Sequence, residues 1–186
     1  EEQKKGAQIW LLDRRGGEAR KISEVKGGVS EIQWSPDSTR IAFVIGDDDP
    51  DEDPEKKEGW KRKTPPPIVI DRYHFKQDRE GYLRRLYDHI AVLDIATGKP
   101  VVLTSGQVDD GNPAWAPDGQ QIAFLRKRAH ADPDRTANQD LWVIEAREGA
   151  SPRQVTSTPE GESGRPAWSP DGTRIAVLLG DVDRNY

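Results

Sequence analysis

The stretch Ile32-Gln33-Trp34-Ser35-Pro36-Asp37-Ser38-Thr39-Arg40-Ile41-Ala42-Phe43 returns twice in the same chain. It reappears as Pro113-Ala114-Trp115-Ala116-Pro117-Asp118-Gly119-Gln120-Gln121-Ile122-Ala123-Phe124. The last copy is Pro166-Ala167-Trp168-Ser169-Pro170-Asp171-Gly172-Thr173-Arg174-Ile175-Ala176-Val177. Each copy predicts a strand, a tight turn and a second strand. Pro36, Pro117 and Pro170 preset one turn dihedral, and Asp37, Asp118 and Asp171 bond back to the local backbone. Gly119 and Gly172 tolerate the positive φ that such a turn demands, with Ser38 in that place in the first copy. The Ile-Ala-Phe or Ile-Ala-Val run that follows suits a buried sheet position, where a small Ala lets the next sheet approach.

A second block also occurs three times, as Gln8-Ile9-Trp10-Leu11-Leu12-Asp13, His89-Ile90-Ala91-Val92-Leu93-Asp94 and Asp140-Leu141-Trp142-Val143-Ile144-Glu145. Each apolar run ends on an acid and enters a Gly-containing turn at Gly16-Gly17, Thr97-Gly98 or Glu148-Gly149. A short fourth strand follows, ending in Lys21-Ile22-Ser23, Val102-Leu103-Thr104 or Gln154-Val155-Thr156. Asp13 precedes Trp34 by 21 residues, Asp94 precedes Trp115 by 21, and Glu145 precedes Trp168 by 23. The unit is therefore four strands and three turns, which predicts an all-β fold of radially stacked propeller blades. Residues 7–23 supply a half blade, and 30–104 a whole blade interrupted by an insertion at 47–87. Residues 112–156 supply a second whole blade, and 165–180 another half. The chain thus reads as one partial propeller domain over 1–186. The half blades at its two ends are complementary, which predicts self-association of two copies into a ring.

Composition agrees with shared burial by small repeated sheets: 33% of the 186 residues are hydrophobic and 33% are charged. A net charge of -5 argues against a nucleic-acid partner, which needs a concentrated basic surface. The absence of Cys excludes disulfides, thiolate nucleophiles and Cys-bound metal, and leaves the compartment open, cytoplasm ahead of periplasm. No run approaches the roughly 18 apolar residues that argue for a membrane span. The chain shows no signal peptide and holds no Met, so it reads as a piece of a longer translation product.

The insertion opens with residues 47–58, eight acids and two bases, which read as a solvated loop. Lys63-Thr64-Pro65-Pro66-Pro67 stiffens the chain, and Ile68-Val69-Ile70 predicts a resumed strand. Aromatics and cations then mix in Arg72-Tyr73-His74-Phe75-Lys76 and Tyr82-Leu83-Arg84-Arg85-Leu86-Tyr87. Arg72, Tyr73, Arg84 and Arg85 are the candidate peptide contacts; the same residues suit packing of the insertion onto its blade.

The chemistry of an enzyme is not legible in the chain. No Gly-x-Ser-x-Gly elbow is present, and Gly161-Glu162-Ser163-Gly164 lacks its spacing. His74, His89 and His130 are widely separated, so no zinc pair forms, and no Gly-rich phosphate loop opens a helix. His89 occupies the repeat position held by Gln8 and Asp140 and reads as a polar residue at a blade edge. The polar loop Asp132-Pro133-Asp134-Arg135-Thr136 reads as closed by its own hydrogen bonds. No catalytic residue, metal site or cofactor is expected. Trp10, Trp34, Trp115, Trp142 and Trp168 sit at repeat positions and are expected to pack between blades; Trp60 alone lies off the repeat.

The Trp-Ser-Pro-Asp-Gly-x-x-Ile-Ala-Phe block resembles the repeat of the TolB propeller and of the propellers of prolyl-oligopeptidase-type serine peptidases. Pro67 to Lys76, Gly81-Tyr82-Leu83 and the His89 to Asp94 strand look like the amino-terminal propeller of bacterial acylaminoacyl-peptidase and dipeptidyl-aminopeptidase relatives. The stretch from Arg126 to Val143 fits that group too. The resemblance implies a non-catalytic propeller that gates or positions peptide substrate for a carboxy-terminal α/β-hydrolase domain of the same polypeptide. That domain would hold the Ser–Asp–His triad of an enzyme that transfers the acyl group to water. Some dipeptidyl-peptidase relatives hold the substrate amino terminus with paired Glu residues; here the only adjacent Glu pair is Glu1-Glu2, so that role is not carried over. The other implied reading is a TolB-like, periplasmic protein-interaction propeller with no enzymatic role.

Overall fold

The computed structural model describes residues 6–48, 70, 73, 75–78, 81–83, 85–128 and 136–180. All strand pairing among them is antiparallel. The first pair is β1 (Trp10–Leu11) with β2 (Arg20–Lys21). A four-stranded sheet follows in the order β3 (Val29–Trp34), β4 (Arg40–Gly46), β7 (Asp88–Asp94), β8 (Pro100–Val102). Inside the insertion, β5 (Lys76–Gln77) and β6 (Gly81–Tyr82) form a separate hairpin. The last sheet runs β9 (Asp110–Trp115), β10 (Gln121–Lys127), β11 (Gln139–Glu145), with β12 (Arg153–Gln154) on β11. The hairpin of β13 (Gly161–Trp168) and β14 (Ile175–Gly180) joins β11 through one residue pair, Gln139 with Glu162.

Each repeated block forms the predicted strand–turn–strand. Its turn is closed by the N–H of Ser38, Gly119 or Gly172 donating to the carbonyl of Ser35, Ala116 or Ser169. All three closing residues have φ between 60° and 70°, so Ser38 takes the left-handed conformation that Gly takes more readily. The turn acids act as expected, since Thr39, Gln120 and Thr173 each donate a backbone N–H to the preceding Asp.

The hydroxyl of Ser35 also donates to Asp37 at 2.6 Å, and that of Ser169 to Asp171 at 2.6 Å. These bonds, with the backbone N–H groups, hold both carboxyls down at a pKa of about 2. A depressed carboxyl stabilises the fold above its unfolded value and loses that contribution as the pH falls towards its folded one. Stability is therefore expected to decline between about pH 4 and pH 2, gently because both groups face solvent. Urea titrations at stepped pH check this, with Asp37→Asn and Asp171→Asn flattening the slope.

The core lies between sheets, and the repeat divides it by residue parity. Ala42, Val44, Ile90 and Val92 of one sheet meet Trp115, Ile122, Phe124 and Ile144 of the next. Ala123, Leu125, Leu141 and Val143 then meet Trp168, Ile175 and Val177. On the other side, Ile41, Phe43, Ala91 and Leu93 pack on Ile9 and Ile22 beside the β1–β2 pair. Thus Ile and Phe or Val of each block face back along the chain, while Ala and its aliphatic successor face forward. Ala42 and Ala123 are fully buried, as a position of close sheet approach requires.

A third repeated bond ties the outer strands. The side-chain hydroxyls of Ser23, Thr104 and Thr156 accept the backbone N–H of Ile9, Ile90 and Leu141 at 2.7, 2.9 and 2.8 Å. Each satisfies a donor where a two- or three-residue outer strand is too short to do so.

Two expectations need correction. Trp10 and Trp34 are 57% and 50% exposed, because no described sheet stands in front of either indole. Ile70 lies in no strand and is exposed, while residues 68 and 69 fall outside the described residues. The sheets form an all-β, propeller-like series that does not close into a ring among the described residues.

Candidate functional site

One rim of the sheets gathers the charged side chains. It is the end where β4 stops opposite the start of β7, with Gly46 paired to Asp88, and where the insertion leaves. Asp47 caps this exit: its N–H donates to Tyr87 O at 2.9 Å, and its carboxylate accepts the Tyr87 N–H at 3.0 Å. The same carboxylate faces His89 Nε2 at 3.2 Å. His89 is buried, and its Nδ1 has no partner among the described residues. His89, expected as a polar residue at a blade edge, stands near the start of β7, a strand flanked by β4 and β8, and is buried.

The inner strands β3, β9 and β13 each carry an irregularity near this rim. Pairing slips between Ser30 and Gln33, between Gly111 and Ala114, and between Ser163 and Ala167. Inside each slip a residue turns left-handed: Glu31 at φ 51°, Asn112 at φ 55° and Gly164 at φ 69°. Such bulges re-aim side chains and are frequent beside binding sites. Glu31 uses its new direction to reach the neighbouring inner strand, where its carboxylate accepts the Asn112 N–H.

Glu31, Asp47, Asp88 and Asp109 thereby converge. The Asp88 N–H donates to Asp109 Oδ1 at 3.3 Å. Burial, then the charges of Asp109 and Glu31, push the Asp88 carboxyl above the usual carboxylate range, with His89 pulling the other way. Beside this acidic cluster two arginines are locked by acids. Arg126 grips Asp110 in a fork at 2.6 and 2.8 Å and lies over the rings of Trp142 and Phe124 at 5.0 and 5.6 Å. Arg128 grips Asp140 at 2.6 and 3.2 Å and donates to the carbonyls of Thr158, Pro159 and Glu160. An open depression of about 450 Å³ lies between Arg128, Asp140, Trp142, Gln154 and residues 157–159.

The sequence-predicted contacts are only partly placed. Tyr73 and Arg85 are exposed on the insertion near the β5–β6 hairpin. Arg72, Arg84, His74, Trp60, most of the acidic run at 47–58, His130 and most of the 132–136 loop lie outside the described residues. The acidic cluster and the arginine forks were missed from sequence. One signal for them was available: Asp140 shares a repeat position with Gln8 and His89, so its side chain is bound to sit at the rim.

No family model matches the chain. A protein of Bacillus subtilis (strain 168) named uncharacterized peptidase YuxL is 30% identical over 140 residues, 74% of this chain. The chain spans about a fifth (21%) of that relative's length. Among solved structures, a putative TolB from Agrobacterium tumefaciens superposes on 96% of the chain with a TM-score of 0.60 and 21% identity, covering 47% of that protein. The acylaminoacyl peptidase of Pyrococcus horikoshii superposes on 90% with a TM-score of 0.58 and 17% identity, covering 24% of that protein. The chain therefore shares the propeller-like fold of these solved structures.

Proposed function

We propose that the chain is a non-catalytic, TolB-like recognition propeller that holds an extended polypeptide at the rim where the insertion leaves. In this reading β3-β4-β7-β8 and β9-β10-β11-β12 are complete blades, and β1-β2 and β13-β14 are halves. The observation that carries it is the convergence of Glu31, Asp47, Asp88 and Asp109, where burial and then the neighbouring carboxylates raise Asp88. Clustered carboxylates recruit a cation, and the amino terminus of a peptide supplies one. In this reading the insertion, which carries Arg72, Tyr73, Arg84 and Arg85, adds contacts for the peptide's carboxylates and aromatic side chains. Arg126 and Arg128 are already engaged by Asp110 and Asp140, so they shape the rim rather than grip the ligand.

Calorimetry tests this with a short peptide carrying a free or an acetylated amino terminus. Acetylation, Asp88→Asn and Glu31→Gln are each expected to weaken binding about tenfold. Binding is expected to strengthen as rising pH ionises Asp88. Equal affinity for both peptides removes the reading.

A second reading, that this propeller gates peptide substrate for a hydrolase domain of the same polypeptide, is favoured by the likeness to the Bacillus peptidase over 140 residues. The full-length polypeptide decides it. Labelling by a fluorophosphonate serine-hydrolase probe, on a band several times the size of this chain, supports gating. An unlabelled band leaves recognition alone.

A further inference from the structure

The three inner-strand bulges carry different residues on one backbone plan. Counted from the rim, each follows a matched pair: Ser30 with Val44, Gly111 with Leu125, Ser163 with Leu178. The next residue, Glu31, Asn112 or Gly164, is the left-handed one. Glu31-Ile32 fills the first bulge and Asn112-Pro113 the second. The third is one residue longer, Gly164-Arg165-Pro166. Pro166 keeps the place of Pro113 before the Ala-Trp pair, so Arg165 is the added residue.

The contact from the first bulge to the second shows what such a bulge binds. The Glu31 carboxylate accepts the Asn112 N–H, and a Cβ on Gly111 would lie 3.5 Å from Glu31 Oε2. A carboxylate thus sits on the left-handed N–H, in the direction a side chain on the preceding residue would take. At the third bulge those two positions belong to Gly164 and Ser163. β13 stands beside β9 as β9 stands beside β3, so the repeat turns the Gly164 N–H and the Ser163 hydroxyl towards β9. Asn112 holds Glu31's place on β9 and brings no carboxylate. Ser163, Gly164 and Arg165 are exposed, and Arg165 makes no ion pair among the described residues.

We infer that Ser163, Gly164 and Arg165 form a seat for a ligand carboxylate, between β9 and β13, where the ligand supplies the group that Glu31 supplies one bulge earlier. The Gly164 N–H and the Ser163 hydroxyl donate to its oxygens, and the Arg165 guanidinium adds a charge-assisted bond. A polypeptide presents such a group at its carboxy terminus and on Asp and Glu side chains. The seat uses no residue of the acidic cluster, so it stands or falls apart from the amine reading of the rim.

Amide resonances of the isotope-labelled 186-residue chain test it, titrated with sodium acetate against sodium chloride at matched ionic strength. The Gly164 resonance is expected to shift saturably with acetate alone. The Asn112 resonance stays in place, because Glu31 already holds its N–H. Glu31→Gly, which suits the left-handed backbone, frees that N–H and is expected to make the Asn112 resonance respond. Arg165→Gln is expected to weaken acetate binding about tenfold with unchanged circular dichroism, and Arg165→Lys to restore part of it. Two peptides with acetylated amino termini then separate the sources. Binding at Gly164 by one with a free carboxy terminus and no acidic residue assigns the terminus. Binding there by an amidated one with a single Glu assigns the side chain. A Gly164 resonance that ignores acetate or moves equally with chloride, acetate binding that Arg165→Gln leaves unchanged, or a site that neither peptide occupies overturns the inference.

Discussion

Phe124→Ala is expected to lower the free energy of unfolding by about 3–5 kcal/mol, near the upper end for a core deletion. Phe124 is fully buried, in the cluster where Ala42, Val44, Ile90 and Val92 meet Trp115, Ile122 and Ile144. It fills the space between two sheets, so its loss opens a cavity shared by both. The repeat gives the site little freedom to collapse: the Trp115 indole is pinned to Gln33 O, and Arg40 stacks on its ring at 4.8 Å. Arg40 is itself tied to Gly119 O at 2.6 Å. Phe124→Leu keeps most of the volume and should cost much less. Urea denaturation followed by tryptophan fluorescence measures both, and a loss for Phe124→Ala below about 1 kcal/mol contradicts the packing account.

Arg126→Met is expected to cost about 3–5 kcal/mol, because it leaves the Asp110 carboxylate buried without its partner. The Asp110 side chain is completely buried, and the Arg126 side chain is 14% exposed. The double substitution Asp110→Leu/Arg126→Met removes both charges and is expected to recover more than half of that loss. Burying the pair already costs much of what its attraction returns, and Met keeps the contacts with Phe124 and Trp142. The coupling is read from a double-mutant cycle on unfolding free energies. Additive single effects would show that the fork is solvated, contrary to its burial.

The parts of the fold that repeat were legible because each copy tests the others. A single Trp-x-Pro-Asp stretch is weak evidence. Three with matched offsets to an apolar-acidic strand determine a four-stranded unit, and the pairing of β3–β4, β9–β10 and β13–β14 follows it. Burial of the Trp residues was less legible, since it depends on which sheet stands in front of each indole. Trp115 finds Gln33 and is buried, whereas Trp34 carries the same local sequence signal and remains half exposed. The bulges at Glu31 and Asn112 were hidden for a different reason. Neither is Gly; Asn visits the left-handed region more readily than most residues but Glu does not, so residue type gave little notice of the paired bulges. The rim was missed because its acids come from separate segments, Glu31, Asp47, Asp88 and Asp109, that only strand pairing brings together. The insertion offered the louder signal, a mixture of Arg and Tyr, and drew the sequence-based site to Arg72, Tyr73, Arg84 and Arg85.

These features make the stacked sheets a rigid frame for the recognition proposed at the rim. Hydroxyl caps at Ser23, Thr104 and Thr156, turn bonds and interlocked Trp residues fix the sheets. The charged rim hangs on that frame, where small errors in position would scatter four carboxylates. The proposed recognition needs no nucleophile held against a base, only the positions of these carboxylates.

Incubating the 186-residue chain with a short free-amine peptide and a fluorophosphonate probe tests that claim most directly, with binding read by calorimetry and peptide integrity and labelling by mass spectrometry. The account predicts saturable binding, an intact peptide and an unlabelled chain. Cleavage of the peptide or a covalent adduct on the chain would contradict it, as would a peptide that does not bind.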